Sequence, residues 1–256
     1  MPDPVLFSWG PISIRWYGVL VVTGMALGVL LACREARRRE LNADHYFNMC
    51  LMMLIFGVLG ARAYYVLFNW DYYGANPVKI LAFAEGGLAI HGGLIAGGLT
   101  FVVTGAYYRI GGWTALDIAA PSVALGQAIG RWGNFFNQEA YGYAVSREII
   151  PWAMFIDGAY RHPTFLYESI WDLLVFLFLL WMRRRRNLVT GDVALMYMIL
   201  YSAGRLVIES FRTDSLMLGN LRAAQVVSVA AILLSVVAMW IRHRGKNQGG
   251  KIDNVR

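Results

Sequence analysis

Three charged residues late in the chain have a spacing that could support chemistry. Arg205, Glu209 and Arg212 occupy positions i, i+4 and i+7 of an apolar segment, so a helix would carry all three on one face. Guanidinium groups match the geometry of phosphate oxygens and stay charged when they leave water, and a carboxylate can hold them in register. The pattern predicts a site for an anionic group.

A second set of candidates lies upstream. Arg131 and Asn134 are three positions apart in the run GRWGNFFNQEAYG, and Glu139 follows them. His91 lies among glycines in GGLAIHGGLIAGG. Histidine and carboxylate side chains can take up a proton, whereas Arg131 can stabilise negative charge that develops on an oxygen.

The segments that carry these residues are membrane-spanning by composition. The chain has 256 residues, of which 58% are hydrophobic and 15% charged, whereas a soluble domain carries roughly 25% charge. A helix needs about 20 apolar residues to cross the hydrocarbon layer. Seven windows meet or approach this length, namely 12–33, 46–68, 87–108, 115–135, 164–182, 190–211 and 220–241. We therefore expect an all-α polytopic membrane protein, with the fourth window the weakest because polar residues interrupt it.

The distribution of basic residues sets the expected orientation. Arginines cluster after the first window, in CREARRRE, and after the fifth, in RRRR, and the chain ends in a basic tail at 243–256. The opposite loops hold few basic residues: Lys79, Arg147 and Arg161. By the positive-inside rule, the N-terminus faces the periplasm and the C-terminus the cytoplasm.

The chain is expected to form a single transmembrane domain over residues 1–256, with two structured outward loops. Residues 69–86 include the amphipathic run PVKILAFAE, which suits a periplasmic arm at the membrane interface. Residues 136–163 form a small periplasmic cap, in which IIPWAMFI next to Asp and Gly predicts a short strand or hairpin.

Polar side chains recur near the outward ends of six of the seven windows. A charged residue within a membrane helix costs about 2.5–3.5 kcal/mol on insertion scales, so such residues are functional candidates. Two simpler explanations stand beside this one. Arg205 and Glu209 could be an ion pair that only joins helices, and Arg15 and Arg222 could be anchors that extend toward the headgroups.

In the motifs GGLAIHGG, GRWGNFFNQEAYG, HPTFLYE and YSAGRLVIESFR, taken in this order, the chain resembles the prolipoprotein diacylglyceryl transferase family. The resemblance continues at RWYG and GARAYYVLF and covers nearly the whole sequence. Members of this family have seven spanning helices with the N-terminus outside, which agrees with the orientation expected from the basic residues. The resemblance implies an inner-membrane enzyme whose active site faces the periplasm or the outer leaflet.

The reaction implied by the resemblance moves the diacylglyceryl group of phosphatidylglycerol to the lipobox cysteine of a preprolipoprotein signal peptide. The attacking thiol must lose a proton, and the candidate bases are His91, Glu139 or the arginine field alone. Arg131 and Arg205 would stabilise the departing phosphate, and Glu139 and Glu209 would orient the arginines. The substrate-binding candidates are Tyr17, Tyr65, Arg131, Asn134, Gly142, Arg205 and Arg212.

Other classes of function are expected to fit less well. A transporter or flippase of an anionic lipid or solute would also need polar residues in the cytoplasmic halves of the helices, where runs such as LLVFLFLLW are apolar. A non-catalytic envelope scaffold would tolerate replacement of Arg131 or His91. No metal-ligand spacing and no cofactor motif is apparent, and the basic residues do not form a nucleic-acid-binding face. The expected partners are phosphatidylglycerol, prolipoprotein signal peptides and membrane lipids.

Overall fold

The structure is a computed structural model that describes residues 3–10, 12–83 and 86–252. Two predicted regions extend beyond these residues. Residues 84 and 85 of the expected arm at 69–86, and residues 253–256 of the basic tail at 243–256, lie outside the described part.

Long helices dominate the described chain. Their bounds are Trp16–Arg38 (α1), Ala43–Phe68 (α2), Ile90–Tyr107 (α4), Gly112–Asn137 (α5), Thr164–Met182 (α6), Asp192–Ile208 (α7) and Ala223–Ile252 (α8), with a short helix at Trp70–Ala75 (α3). Each long helix covers most of one of the seven predicted windows. Within the described residues, six of them, all but α5, are long and apolar enough to cross a membrane. This confirms the predicted class, an all-α polytopic membrane protein.

The outer surfaces of the helices are apolar. Ile90, Leu94 and Val102 of α4 have 73%, 69% and 67% of their surface exposed. A water-soluble protein rarely exposes so large a contiguous apolar surface, because burying apolar area is the main driving force of folding in water. These faces are therefore suited to lipid chains.

The strands are short and form three separate antiparallel pairs. Val5–Trp9 (β1) pairs with Ile12–Arg15 (β2), Met154–Ile156 (β3) with Ala159–Arg161 (β4), and Met217–Leu218 (β5) with Leu221–Arg222 (β6). The β3–β4 pair confirms the hairpin predicted in the 136–163 loop. Its turn places Asp157 and Gly158 at positive φ, a conformation that Gly and Asp tolerate better than most residues.

The chain forms two compact units, one of residues 1–31 with 116–256 and one of residues 32–115. In the second unit, α2 and α4 cross at glycines. A Cβ atom added to Gly60 would lie 2.2 Å from Ala96 Cβ and 2.8 Å from the carbonyl oxygen of Gly92. The two backbones can approach this closely because neither glycine carries a side chain, as in other membrane helix pairs.

The first unit also has a close helix crossing at glycines, and it contains an apolar core. α1 crosses α5 where Gly24 meets Gly126, since a Cβ on Gly24 would lie 3.2 Å from the Gly126 carbonyl oxygen. On α7, Gly204 makes room for the Trp171 ring of α6, whose Nε1 donates to the carbonyl of Leu200 at 2.8 Å. A cluster of buried residues then joins α5, α6 and α7: Ala120, Ala124, Val175, Leu179, Met182, Val193 and Ala194.

The close crossing of α2 and α4 yields a stability test. We expect Gly60→Ala to lower the free energy of unfolding by about 1–3 kcal/mol. The added methyl group would overlap Ala96 Cβ and the Gly92 carbonyl oxygen, which can shift only if the helices move apart. Gly98→Ala on α4 is the matched control, since a Cβ there meets nothing within 4 Å. Thermal unfolding in detergent micelles would compare the two variants, and an equal loss of stability would contradict the explanation.

Candidate active site

A buried glutamate near the start of α6 lies at the centre of a charged cluster. The start of α6 is fixed by Thr164, whose hydroxyl donates to the carbonyl of Ala140 at 2.5 Å. One turn later Glu168 is only 4% exposed. Its Oε1 atom lies 2.6 Å from Arg205 Nη1 and 3.5 Å from Arg212 Nη1, and its Oε2 atom lies 2.6 Å from Arg131 Nε. One carboxylate therefore joins arginines from three segments of the first unit.

Two further carboxylates pair with three of the remaining guanidinium nitrogens. Glu209, 2% exposed, lies 2.7 Å from Arg205 Nη2. Asp214 accepts from Arg212 Nε at 2.9 Å and from Nη2 at 2.7 Å. Burial alone would raise the pKa of Asp214, but the hydrogen bonds and charge of Arg212 hold it below its ordinary value. Arg205, Glu209 and Arg212 are thus connected, but the prediction that they share a face of one helix is wrong for Arg212, because α7 ends at Ile208 and Arg212 is in extended backbone after a 3-10 turn at Glu209–Phe211.

Arg131 differs from the other two arginines. Its Nε atom is paired with Glu168 at 2.6 Å, and its two terminal nitrogens make no hydrogen bond within the described residues. Its side chain is 20% exposed. A buried ion pair at Nε fixes the plane of the guanidinium group, and the terminal N–H groups then form a fork that can bind two oxygens of one anion.

A small cavity opens beside this arrangement, and three ionisable residues that line it, Glu168, Asp172 and Tyr201, were not among the site residues predicted from the sequence. Asp172 and Tyr201 line the cavity together with Arg131, Glu168 and Arg205. Asp172 is 3% exposed, and its Oδ2 atom has no hydrogen-bond partner among the described residues. Helical spacing could have indicated both, since Asp172 follows Glu168 by four residues and Tyr201 precedes Arg205 by four.

The predicted residues around the end of α5 form a neighbouring polar group. Glu139 Oε1 accepts from the side-chain amides of Asn134 at 3.0 Å and Asn137 at 3.3 Å. Tyr17, at the start of α1, packs closely against Gly133. A Cβ atom added to that glycine would lie only 2.5 Å from the tyrosine ring. The structure thus gives Glu139 amide partners where an arginine was expected.

Gly142, a predicted substrate-binding residue, lies in a tightly packed backbone contact. Its N–H donates to the carbonyl of His162 at 2.9 Å, and the glycine forms a β-bridge with Arg212. A Cβ at this position would lie 2.7 Å from both His162 Cβ and the carbonyl oxygen of Phe211. The glycine lets the cap approach the end of α7 and so supports the backbone that carries Arg212.

The interpretation of Arg222 as an anchor toward the headgroups is wrong. Its guanidinium group turns inward and donates to the carbonyl of Glu209, to the carbonyl of Arg212 at 3.0 Å and to Ser215 Oγ at 3.0 Å. It also donates to the hydroxyl of Tyr143 at 2.8 Å. Arg222 therefore holds the turn that follows α7, because it joins two carbonyls and a hydroxyl of that turn.

His91 and Tyr65 belong to the second unit. His91 lies in the first turn of α4 with its side chain exposed, and its ring centre is 6.1 Å from that of Tyr64. Tyr65 packs edge-on against Tyr73 at 6.2 Å and lies under Gly87, where a Cβ would meet its ring at 2.8 Å. Among the described residues, no group of three or more His, Cys, Asp or Glu side chains could hold a metal ion.

The apolar helices and the paired arginines define a membrane protein with a partly enclosed cavity lined by charged side chains. The sequence model of the family described as prolipoprotein diacylglyceryl transferase matches residues 4–241. The chain therefore belongs to this family and is a transferase.

Similar proteins come from several bacteria, and each is called a phosphatidylglycerol--prolipoprotein diacylglyceryl transferase. The protein of Geobacillus kaustophilus is 52% identical over 254 residues, covering 95% of this chain and 93% of that protein. The protein of Streptococcus equi subsp. equi is 48% identical over 252 residues, covering 96% and 97%. The protein of Streptococcus mutans is 46% identical over 250 residues, covering 95% and 96%.

The pairing of charges predicts that replacing Glu168 lowers the free energy of unfolding much more than replacing Asp214. Glu168→Gln removes the buried charge that three arginines share and is expected to destabilise the fold by about 3 kcal/mol or more. Asp214→Asn is the control, because the Asp214 side chain is 50% exposed and such a pair contributes about 1 kcal/mol or less. Denaturation in micelles measures both variants. A loss for Asp214→Asn as large as that for Glu168→Gln would show that Glu168 is not the central contact.

Proposed function

We propose that this chain transfers the diacylglyceryl group of phosphatidylglycerol to the lipobox cysteine of preprolipoproteins, the first step of lipoprotein maturation. The bond between the terminal glyceryl carbon and the phosphate oxygen breaks, and a carbon–sulfur thioether forms. The cysteine proton passes to a base, and glycerol phosphate departs with the electron pair of the broken bond. The names of the relatives and the match over almost the entire chain support both substrates.

The observation that carries the proposal is the guanidinium fork of Arg131. Glu168 pairs with Arg131 at Nε, and the two terminal nitrogens make no hydrogen bond within the described residues. The phosphate of the lipid headgroup is an anion with oxygens at the spacing of this fork. Charge increases on that phosphate as the carbon–oxygen bond breaks, and preorganised donors outside bulk water stabilise such charge strongly. Arg205, held by Glu168 and Glu209, supplies the adjacent positive charge.

The remaining cluster keeps these donors in place before the lipid arrives. Arg212 uses all three of its guanidinium nitrogens on Glu168 and Asp214, so we assign it to positioning rather than to direct phosphate contact. Asn134, held by Glu139, is the candidate donor to the headgroup oxygens, and Tyr17 lies against the same turn of α5. The lipid tails would remain along the exposed apolar helix faces.

The thiol must be ionised before it attacks. A cysteine thiol has a pKa of about 8.5, so a base or a positive field is required near neutral pH. His91 is our candidate base, because its side chain is exposed at the beginning of a membrane helix. Glu139, whose Oε1 atom already accepts from two amides, is the weaker candidate. We place the site at the periplasmic face of the inner membrane, since the basic loops favour that orientation.

Buried carboxylates elsewhere in the first unit lend no support to a transport path. Asp117 accepts from the backbone N–H groups of Gly191 at 2.7 Å and Ala194 at 2.9 Å, at the start of α7. Asp192 accepts from the Val189 N–H at 2.7 Å. Asp117 thus caps the start of α7, whereas Asp192 holds the preceding turn and also lies 3.0 Å from His243 Nε2. Both carboxylates have structural partners.

The proposal predicts thiol-dependent product release. Purified protein in vesicles containing phosphatidylglycerol should release glycerol phosphate when a lipobox peptide is present, and should not do so with the Cys→Ser peptide. Arg131→Ala should lower kcat by roughly 100- to 1,000-fold without loss of folding, as for removal of one preorganised donor. Arg131→Lys should remain impaired, because an ammonium group lacks the fork.

Arg147→Ala is the matched control for charge. Arg147 lies in the cap, with its guanidinium carbon 5.6 Å from the Tyr160 ring centre, and its removal should leave the rate near that of the wild type. Release that does not require the peptide cysteine would refute the transferase assignment. Equal effects of Arg131→Ala and Arg147→Ala would instead refute the role of the fork.

The base assignment predicts a particular pH dependence. Relative to the wild type, His91→Ala should lose most activity near neutral pH, where the substrate thiol is protonated. The loss should diminish above about pH 8.5, where the thiol ionises unaided. Rates with the lipobox peptide from pH 6 to pH 10 would measure this, with Glu139→Gln tested in parallel. A loss that is the same at every pH would exclude His91 as the base.

A further inference from the structure

Arg62 is a buried arginine of α2 that the proposed reaction does not use. It is 4% exposed, and its guanidinium group lies 5.2 Å from the Tyr73 ring centre and 5.7 Å from that of Phe83. Its nitrogens all donate to backbone carbonyls. Nε reaches Ile80 at 2.8 Å, Nη2 reaches Lys79 at 2.6 Å, and Nη1 reaches Gly86 at 2.6 Å and Gly87 at 3.0 Å. Because every guanidinium nitrogen of Arg62 already donates to a backbone carbonyl, the side chain has little capacity to bind a phosphate.

These contacts fix the segment that leads directly into α4. Four carbonyls from the two ends of the 79–87 loop converge on one planar group, which a flexible loop would not achieve without such a partner. A further contact ties the same segment to α2, since the N–H of Ala89 donates to the carbonyl of Ala61 at 3.0 Å. His91 follows Ala89 by two residues, in the first turn of α4.

The glycines before His91 have a local explanation in this arrangement. Gly86 and Gly87 both have positive φ, at 84° and 74°, a conformation that strains any residue with a Cβ. They differ in the space around them. A Cβ on Gly87 would lie 2.5 Å from Arg62 Nη1 and 2.8 Å from the Tyr65 ring, whereas a Cβ on Gly86 would meet nothing within 4 Å.

We propose that Arg62 is a positioning residue for the transfer reaction: it holds residues 79–80 and 86–87 against α2 and thereby sets the place of His91. This inference rests on the proposed function, in which His91 takes the proton from the substrate thiol. A base displaced by about 1 Å from its productive position can lose about 100-fold in rate. The rate of the chemical step should therefore depend on Arg62 while lipid binding should not.

The experiment compares three variants of the full-length protein in phosphatidylglycerol vesicles. Arg62→Lys keeps the charge but has a single nitrogen, so it cannot reach carbonyls at both ends of the loop. Gly87→Ala disturbs the contact from the other side. Gly86→Ala is the matched control, because it adds similar backbone strain at a glycine whose carbonyl also accepts from Arg62, but its Cβ meets nothing within 4 Å. Hydrogen–deuterium exchange of residues 79–93 measures how firmly the backbone before α4 is held. The values of kcat and KM measure the effect on the reaction.

We expect faster exchange at the Ala89 amide in Arg62→Lys and Gly87→Ala, with kcat lower by about 100-fold and KM for phosphatidylglycerol unchanged. Gly86→Ala should show a smaller change in both measurements. Equal behaviour of the two glycine variants, or faster exchange with a normal kcat, would overturn the inference. So would a fully active His91→Ala protein. By contrast, a wild-type protein without transferase activity would refute the proposed function itself. The variants are therefore compared with a wild-type protein that is active.

Discussion

One carboxylate shared by three arginines is the constraint on which the first unit depends. Glu168 draws Arg131, Arg205 and Arg212 to one point, although they come from α5, α7 and the turn after α7. Charges in an apolar helix bundle are costly unless they are paired and hydrogen-bonded. The pairing therefore determines both the approach of these segments and the direction in which each guanidinium group points.

The second unit meets the same requirement with different partners. Arg62 is buried like the arginines of the first unit, but its hydrogen bonds go to backbone carbonyls of the loop before α4. The Gly60–Gly92 crossing brings α2 and α4 close enough for one side chain to reach that loop. In both units, a buried arginine thus organises a segment next to a candidate functional residue.

A ligand can bind where charged groups of the cluster lack hydrogen-bond partners. The terminal nitrogens of Arg131 and one oxygen of Asp172 lack hydrogen-bond partners among the described residues, and both residues line the same cavity. A group held rigidly by one contact and left open at another is preorganised for a ligand, since little reorganisation accompanies binding. This is what a membrane transferase that acts on a phosphate ester requires, because it must bind a headgroup while the acyl chains remain in lipid.

The sequence by itself determined the membrane helices, because their length and apolar content are local properties of the chain. It also indicated that Arg205 and Glu209, four positions apart, are neighbours, whereas Arg212 lies beyond the end of α7 and joins them through the turn that follows the helix. Only the tertiary structure decided that Glu168 is the common partner and that Glu139 pairs with amides. Likewise, it decided that Arg222 turns inward and that Asp172 and Tyr201 line the cavity. Periodicity gives the direction of a side chain from its own helix, whereas the partner it meets depends on how separate helices pack.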